Sequence, residues 1–384
     1  VQEVPANRSY MPSKEQSLPS PAKGNSCFKA GLALFSMFFG AGNLIFPLLI
    51  GKDVGVNVGY ALLGLGITAV IIPLLGLITM VLFKGDTGQF FGRFGKAPGF
   101  LILLLLQLIL GPIGVIPRLV TLMHATLKPY MEDFSLSFFS LIVCFVIFLF
   151  SFNQRKLIHI LGAYFTPLLL LSLGALIFFG LIDGSSFSDQ YLSKTSSFYV
   201  GLIGGYNTMD LIAAFLFSSL ILPYFSEEKN PLESKGKYKT PIMKMFISSV
   251  IGALLLYISY VGLCLVSAKH GWSLDSGLES EEILGFIAIK VLGPIGGFVA
   301  SIAVITACLT TAITLVSIFA EYLKKDICNE KITMKTSLLI TLGVTVLFAS
   351  FGFSGIAAFL TPLLQVVYPC LIVLTLVNLF KYKI

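Results

Sequence analysis

Apolar runs of about 20 residues recur along this chain, and each is long enough to cross the hydrocarbon of a bilayer as a helix. Five lie near 28–50, 59–83, 98–127, 135–152 and 157–182, and five more near 198–226, 241–268, 293–322, 335–352 and 355–380. Hydrocarbon cannot satisfy a bare peptide group, so segments of this length cross as helices. Composition points the same way. Of the 384 residues, 56% are apolar and 12% charged, about half the roughly 25% charge that covers a soluble fold. The expectation is an all-α polytopic membrane protein with about ten transmembrane helices. A soluble enzyme and a disordered chain are both excluded.

The excess of 26 Lys+Arg over 19 Asp+Glu would suggest nucleic acid in a soluble protein. Here its placement matters more than its sum, because basic residues collect in cytoplasmic loops. With an even number of spans both ends lie on one side. Placing the N-terminus inside puts twenty basic side chains in cytoplasmic segments and five (Lys52, Lys128, Lys194, Lys269, Lys290) outside, with Arg118 left within a span. The reading is therefore N-in, C-in, with the lipid bilayer rather than nucleic acid as partner. Residues 1–27 are polar and rich in Pro and Ser and read as a disordered cytoplasmic tail. They lack the apolar core of a signal peptide. Six scattered cysteines show neither a disulfide framework nor metal spacing.

Two spans carry glycine-rich interruptions. The first reads Phe38-Phe39-Gly40-Ala41-Gly42-Asn43, and the sixth reads Gly201-Leu202-Ile203-Gly204-Gly205-Tyr206-Asn207-Thr208-Met209-Asp210. They are five helices apart and so cross in opposite directions. Paired broken helices in corresponding halves point to an inverted-repeat transporter with its site at the midplane. The chain then divides into a first five-helix repeat at 28–182, an external loop at 183–197, a second repeat at 198–380 and a cytoplasmic end at 381–384. A half-helix N-terminus offers N–H donors to a carboxylate, and the opposing carbonyl ends can hold an ammonium group or Na⁺. The competing reading is that the glycines are packing surfaces between helices.

Asp210 and Arg118 are the ionisable residues placed most clearly inside spans, and each needs a polar interior or a partner there. Asp210 is read either as a proton carrier or brace of the sixth helix, or as a structural partner of Arg118 or of backbone. In the eighth span, Ala307-Cys308-Leu309-Thr310-Thr311 sets two hydroxyls on one wedge of the helix. They can serve a hard cation or bond back to their own helix. The third span carries Pro112 and Pro117 and is expected to kink or split. Three histidines and no second buried carboxylate beside Asp210 leave no enzyme constellation, and no cofactor is expected. A passive channel would need a ring of filter groups, which two broken helices in one chain do not suggest.

Together FFGAGNLIFP in the first span, GPIGVIPR at 111–118, GYNTMD at 205–210, ACLTTA at 307–312 and VYP at 367–369 resemble the bacterial branched-chain amino acid:cation symporters, the BrnQ-type carriers. The resemblance implies a LeuT-like five-plus-five inverted repeat in the bacterial cytoplasmic (inner) membrane. It also implies uptake of leucine, isoleucine and valine driven by Na⁺ or H⁺. A LeuT-like carrier for another neutral solute, such as methionine, an aromatic amino acid or a nucleobase, is the alternative. The cation would sit between the carbonyls of Ser36, Phe39 and Ala307 and the hydroxyls of Thr310 and Thr311, with Asn43 at a second position or bracing the break. The substrate carboxylate would meet amides near Gly40, Ala41 and Gly42. Its ammonium would meet carbonyls near Phe38 and Gly204, with Gly205, Tyr206, Asn207 and Thr208 around it. Such carriers usually have twelve spans against the ten read here, and an aliphatic residue where Asn207 stands.

Overall fold

The computed structural model describes residues 27–131, 134–151, 154–183, 186–187, 192–226, 239–271 and 278–381. The tail expected at 1–27 therefore lies outside the described residues except for Cys27, as do the last three positions of 381–384. The described residues form helices and no strands. In chain order the helices are α1 (Cys27–Phe38), α2 (Ala41–Val54), α3 (Val58–Gly66), α4 (Ile72–Leu82), α5 (Thr87–Phe91), α6 (Lys96–Leu110), α7 (Val115–Leu127) and α8 (Leu136–Ser151). They continue with α9 (Gln154–Ile182), α10 (Lys194–Thr208), α11 (Asp210–Ser226), α12 (Lys239–His270), α13 (Ile283–Tyr322), α14 (Met334–Ala349) and α15 (Gly352–Lys381).

Helix ends follow local chemistry. Ser193, Thr333 and Asp86 cap α10, α14 and α5 with side-chain oxygens, satisfying amides that have no partner within the helix. Capping by Ser193 starts α10 at Lys194, so Lys194–Ser197 form its first turn rather than the end of a loop. Inside the helices, Ser140, Ser259, Thr341 and Thr345 return their hydroxyls to carbonyls four residues earlier, which removes free polar groups from the spans. Phe145, Leu171, Leu347 and Val366 are more than half exposed, the outward apolar surface a bilayer would cover. Among the described residues, six stretches are long and apolar enough to cross a membrane, and three shorter apolar helices accompany them. Gly293, at φ +73° before Pro294, turns α13 so that Ile283–Leu292 precedes the span as a separate piece. That short piece and α5 were not foreseen.

Chain directions follow from close approaches. A Cβ on Gly201 would lie 1.9 Å from the Ala61 carbonyl and one on Gly205 2.0 Å from Thr68 Oγ1, so α10 runs parallel to α3. A Cβ on Gly204 would meet Ile50 at 2.5 Å and one on Gly42 would meet the Asn207 carbonyl at 3.2 Å, so α2 runs antiparallel to α10. The chain therefore reverses at Gly55–Asn57, where Gly55 has φ +50°. Along α12, Gly31 faces Ile251, Ser267 Oγ donates to the Leu48 carbonyl at 2.5 Å, and Gly51 faces Cys264. Hence α1 and α2 run parallel to α12 and opposite to α10 and α11, as an inverted repeat requires.

Candidate functional site

The first break is Phe39–Gly40, between α1 and α2. Gly40 has φ −120° and ψ −169°, and Asn43 closes the turn from both ends. Its Oδ1 accepts the Gly40 N–H at 3.1 Å and its own N–H donates to the Gly40 carbonyl at 3.1 Å. Because Oδ1 accepts there, the amide nitrogen of Asn43 points the other way, with two hydrogens to place. One goes to Asp210 Oδ1 at 2.8 Å and the other to the Tyr260 hydroxyl. The Tyr260 hydroxyl in turn donates to Asp210 Oδ2 at 2.7 Å. Asn43, Asp210 and Tyr260 are all buried, and the closed set of bonds offsets the cost of placing a carboxylate there. Three helices are joined at one point: α2, α11 and α12.

The second break lies elsewhere than the glycines suggested. Gly201–Thr208 are helical, and the chain breaks at Met209, a left-handed residue at φ +63° and ψ 20°. Gly201 packs against α3, Gly205 against Thr68 just past the end of α3, and Gly204 against Ile50. The expectation that Gly204 and Gly205 are unwound for a ligand is thereby corrected, because small residues here let two helices touch. Tyr206 stacks on Tyr368 with ring centroids 4.8 Å apart.

The third span is also split, at Gly111–Gly114 between α6 and α7. This break sets Arg118 in the first turns of α7. Arg118 is buried, and its guanidinium lies 5.3 Å from each of the Phe46 and Phe353 ring centroids. Its Nη1 donates to the Asn207 carbonyl at 3.3 Å, while Nε and Nη2 have no partner among the described residues. The pair of Arg118 with Asp210 considered from sequence is not formed. Arg118 holds backbone, and Asp210 is held by Asn43 and Tyr260.

All three breaks border one cavity. Of the positions singled out from sequence, Phe38, Gly40, Ala41, Gly42, Asn43, Arg118, Asn207, Thr208, Asp210 and Thr311 line it. Ser36, Phe39, Gly204, Gly205, Tyr206, Ala307 and Thr310 are not in its lining. The Gly40 amide is taken by Asn43, which leaves the first two amides of α2, at Ala41 and Gly42, as donors at the helix start. Thr310 and Thr311 both donate to the Ala307 carbonyl, at 2.7 and 3.0 Å, the back-bonded arrangement. Helix α13 packs on α9, α7, α14, α8 and α2, whereas α1 packs on α12 and α11. Sequence reasoning missed the apolar walls, Met37, Leu110, Val115, Ala213, Phe217 and Leu315, and the bracing Tyr260. An isolated Tyr or Leu within an apolar run carries no signal of which way it faces.

A family model described as branched-chain amino acid transport protein matches residues 23–384. The chain belongs to this family. A protein of Staphylococcus aureus (strain bovine RF122 / ET3-1) named as a branched-chain amino acid carrier is 32% identical over 372 residues, covering 91% of this chain and 80% of its own length. A similarly named protein of Staphylococcus epidermidis (strain ATCC 12228 / FDA PCI 1200) is 30% identical with the same coverage. Among solved structures, the inward-facing conformation of Mhp1 superposes with TM-score 0.67 at 14% identity, over 97% of this chain and 81% of its own. A Na⁺-coupled sialic acid symporter in a substrate-bound outward-open state superposes with TM-score 0.53 at 12% identity, over 93% of this chain and 79% of its own. These likenesses establish a LeuT-like fold. In this chain the polar Asn207 has a structural occupation. Its Oδ1 accepts from Thr361 Oγ1 at 2.8 Å and its Nδ2 donates to the Ile203 carbonyl at 3.2 Å, tying α10 to α15.

Proposed function

We propose that this protein is a secondary carrier that imports leucine, isoleucine and valine across a bacterial cytoplasmic membrane by symport with Na⁺ or H⁺. Its ten crossings leave both termini inside. The observation that carries the reading is the meeting of two antiparallel broken helices at one cavity, with polar backbone on one side and Met37, Phe38, Leu110, Val115, Ala213, Phe217 and Leu315 on the others. Polar break residues suit the constant part of an amino acid. The apolar walls suit an aliphatic side chain, whose burial contributes about 1.5–3 kcal/mol. No reacting group is needed for this task, and a carrier rather than an enzyme is the reading.

The cavity extends toward α1 and α11, which the charge bias places on the cytoplasmic side. At the other end, Phe46, Arg118 and Phe353 close together, and the Phe353 N–H donates to Glu281 at 3.1 Å. We read this as the cytoplasm-facing state of an alternating-access cycle. The coupling cation is assigned to the Ala307 carbonyl and the Thr310 and Thr311 hydroxyls, completed by the Ser36 and Phe39 carbonyls when α1 comes against α13. Solute counterflow tests the substrate. Vesicles preloaded with isoleucine should concentrate labelled isoleucine from outside, and external valine and leucine should suppress this. Equal suppression by phenylalanine or uracil would favour the carrier of another neutral solute.

A further inference from the structure

The cavity holds one cation and one anion that do not pair with each other. Arg118 and Asp210 both line it, both are buried at 2% and 1% exposure, and no ion pair joins them among the described residues. Their local bonding is unequal. Asp210 accepts from Asn43 on one oxygen and from Tyr260 on the other, with the Thr208 hydroxyl as a further neighbour, all of them neutral donors that leave its charge uncancelled. Arg118 spends Nη1 on the Asn207 carbonyl and leaves Nε and Nη2 without an acceptor among the described residues. A buried guanidinium with two idle donors is costly unless an anion arrives. The flanking Phe46 and Phe353 rings hold its plane without using its hydrogens.

We propose that Arg118 and Asp210 form a zwitterion clamp, in which the guanidinium takes the substrate's α-carboxylate and the Asp210 carboxylate takes its α-ammonium. This rests on the amino acid carrier reading and deepens it by assigning each charged end. The assignment also sets specificity. An α-amino acid cancels both buried charges at once, whereas an amine, a simple carboxylate or an uncharged nucleobase leaves at least one unpaired. Planar guanidinium binds carboxylate through two parallel bonds, so lysine at 118 would be a poor substitute even though it keeps the charge. The amides of Ala41 and Gly42 then assist the same carboxylate, and the walls remain free to choose the side chain.

The test is competition against labelled isoleucine on the purified full chain in detergent, using leucine, leucinamide (no carboxylate) and 4-methylpentanoate (no ammonium). On the unaltered protein, both analogues should compete at least about tenfold more weakly than leucine. Arg118→Gln and Arg118→Lys should weaken leucine by about tenfold or more and leave leucinamide unchanged, because that ligand never used the guanidinium. Asp210→Asn should weaken leucine and leave 4-methylpentanoate unchanged. If either analogue rivals leucine on the unaltered protein, or if a variant weakens leucine and its matching analogue equally, the clamp is wrong. Should the variants fail to fold, the comparison on the unaltered protein still decides. Failure of the branched-chain reading is distinct. In that case another α-amino acid displaces a label better than leucine does, while its amide and its deaminated acid still compete weakly.

Discussion

At the residue scale, Asn43 does what a glycine alone cannot. Gly40 permits the extended break, but Asn43 satisfies the amide that the break exposes and carries the connection to Asp210 and Tyr260. Tyr260→Phe deletes one hydroxyl and strands two groups, Asp210 Oδ2 and one Asn43 hydrogen. The expected loss is about 1–3 kcal/mol of stability, read as a lower unfolding midpoint in detergent, with isoleucine uptake reduced. An unchanged midpoint would show that the network does not bear on the fold. A second residue-level outcome concerns the threonines. Thr310→Ala with Thr311→Ala removes only back-bonded hydroxyls from the folded state, so the protein should fold with an unaltered midpoint. The cation concentration for half-maximal uptake should nonetheless rise by about tenfold. Unaltered cation activation would remove these hydroxyls from the coupling site. Asn43 stands in the sequence beside its glycines, where bracing the break and a second cation position were both open. Tyr260 is not legible there, because its role depends on α12 lying beside the break, a fact of packing rather than of pattern.

At the scale of elements, the apolar runs place the helices well, since length and hydropathy are what a bilayer demands. The run near 98–127 was expected to kink or split, and it splits at Gly111–Gly114. The glycines of the sixth span show the limit of such reading. A run of Gly201, Gly204 and Gly205 is equally suited to unwinding and to close contact, and only the neighbour decides. Here α3 is that neighbour, and the break falls to Met209, a residue type with no particular liking for the left-handed region. Gly201→Ala would push a methyl into the Ala61 carbonyl, an overpacking expected to cost about 1–3 kcal/mol and measured as a lower unfolding midpoint. Gly343→Ala in α14 has open space within 4 Å and should leave the midpoint alone or raise it. Equal effects from the two would mean that α10 and α3 are not in close contact.

At the scale of the whole molecule, direction of access is the property to be explained. The turn that precedes α13 reaches α15 through Glu281, whose carboxylate accepts the Phe353 N–H, and Ser354 donates to Glu279 at 3.2 Å. Lys128 at the end of α7 pairs with Glu282. Phe353 in turn packs against Arg118 and Phe46, and on the cytoplasm-facing reading proposed above these contacts form the external cover. Removing the cover with Glu281→Ala should let the carrier open outward more often. In a Phe353→Cys background, a membrane-impermeant maleimide added outside should then label the new cysteine several-fold faster, and an equal rate would show that this contact does not hold the closure. The central claim is cation-driven import of a branched-chain amino acid. Its most direct test is labelled isoleucine in proteoliposomes, with an inward gradient of Na⁺ imposed in one sample and of H⁺ in another. The account predicts accumulation above equilibrium under one of the two gradients, abolished by an ionophore and suppressed by valine and leucine. Equilibration without accumulation under both gradients, from folded protein, would contradict it.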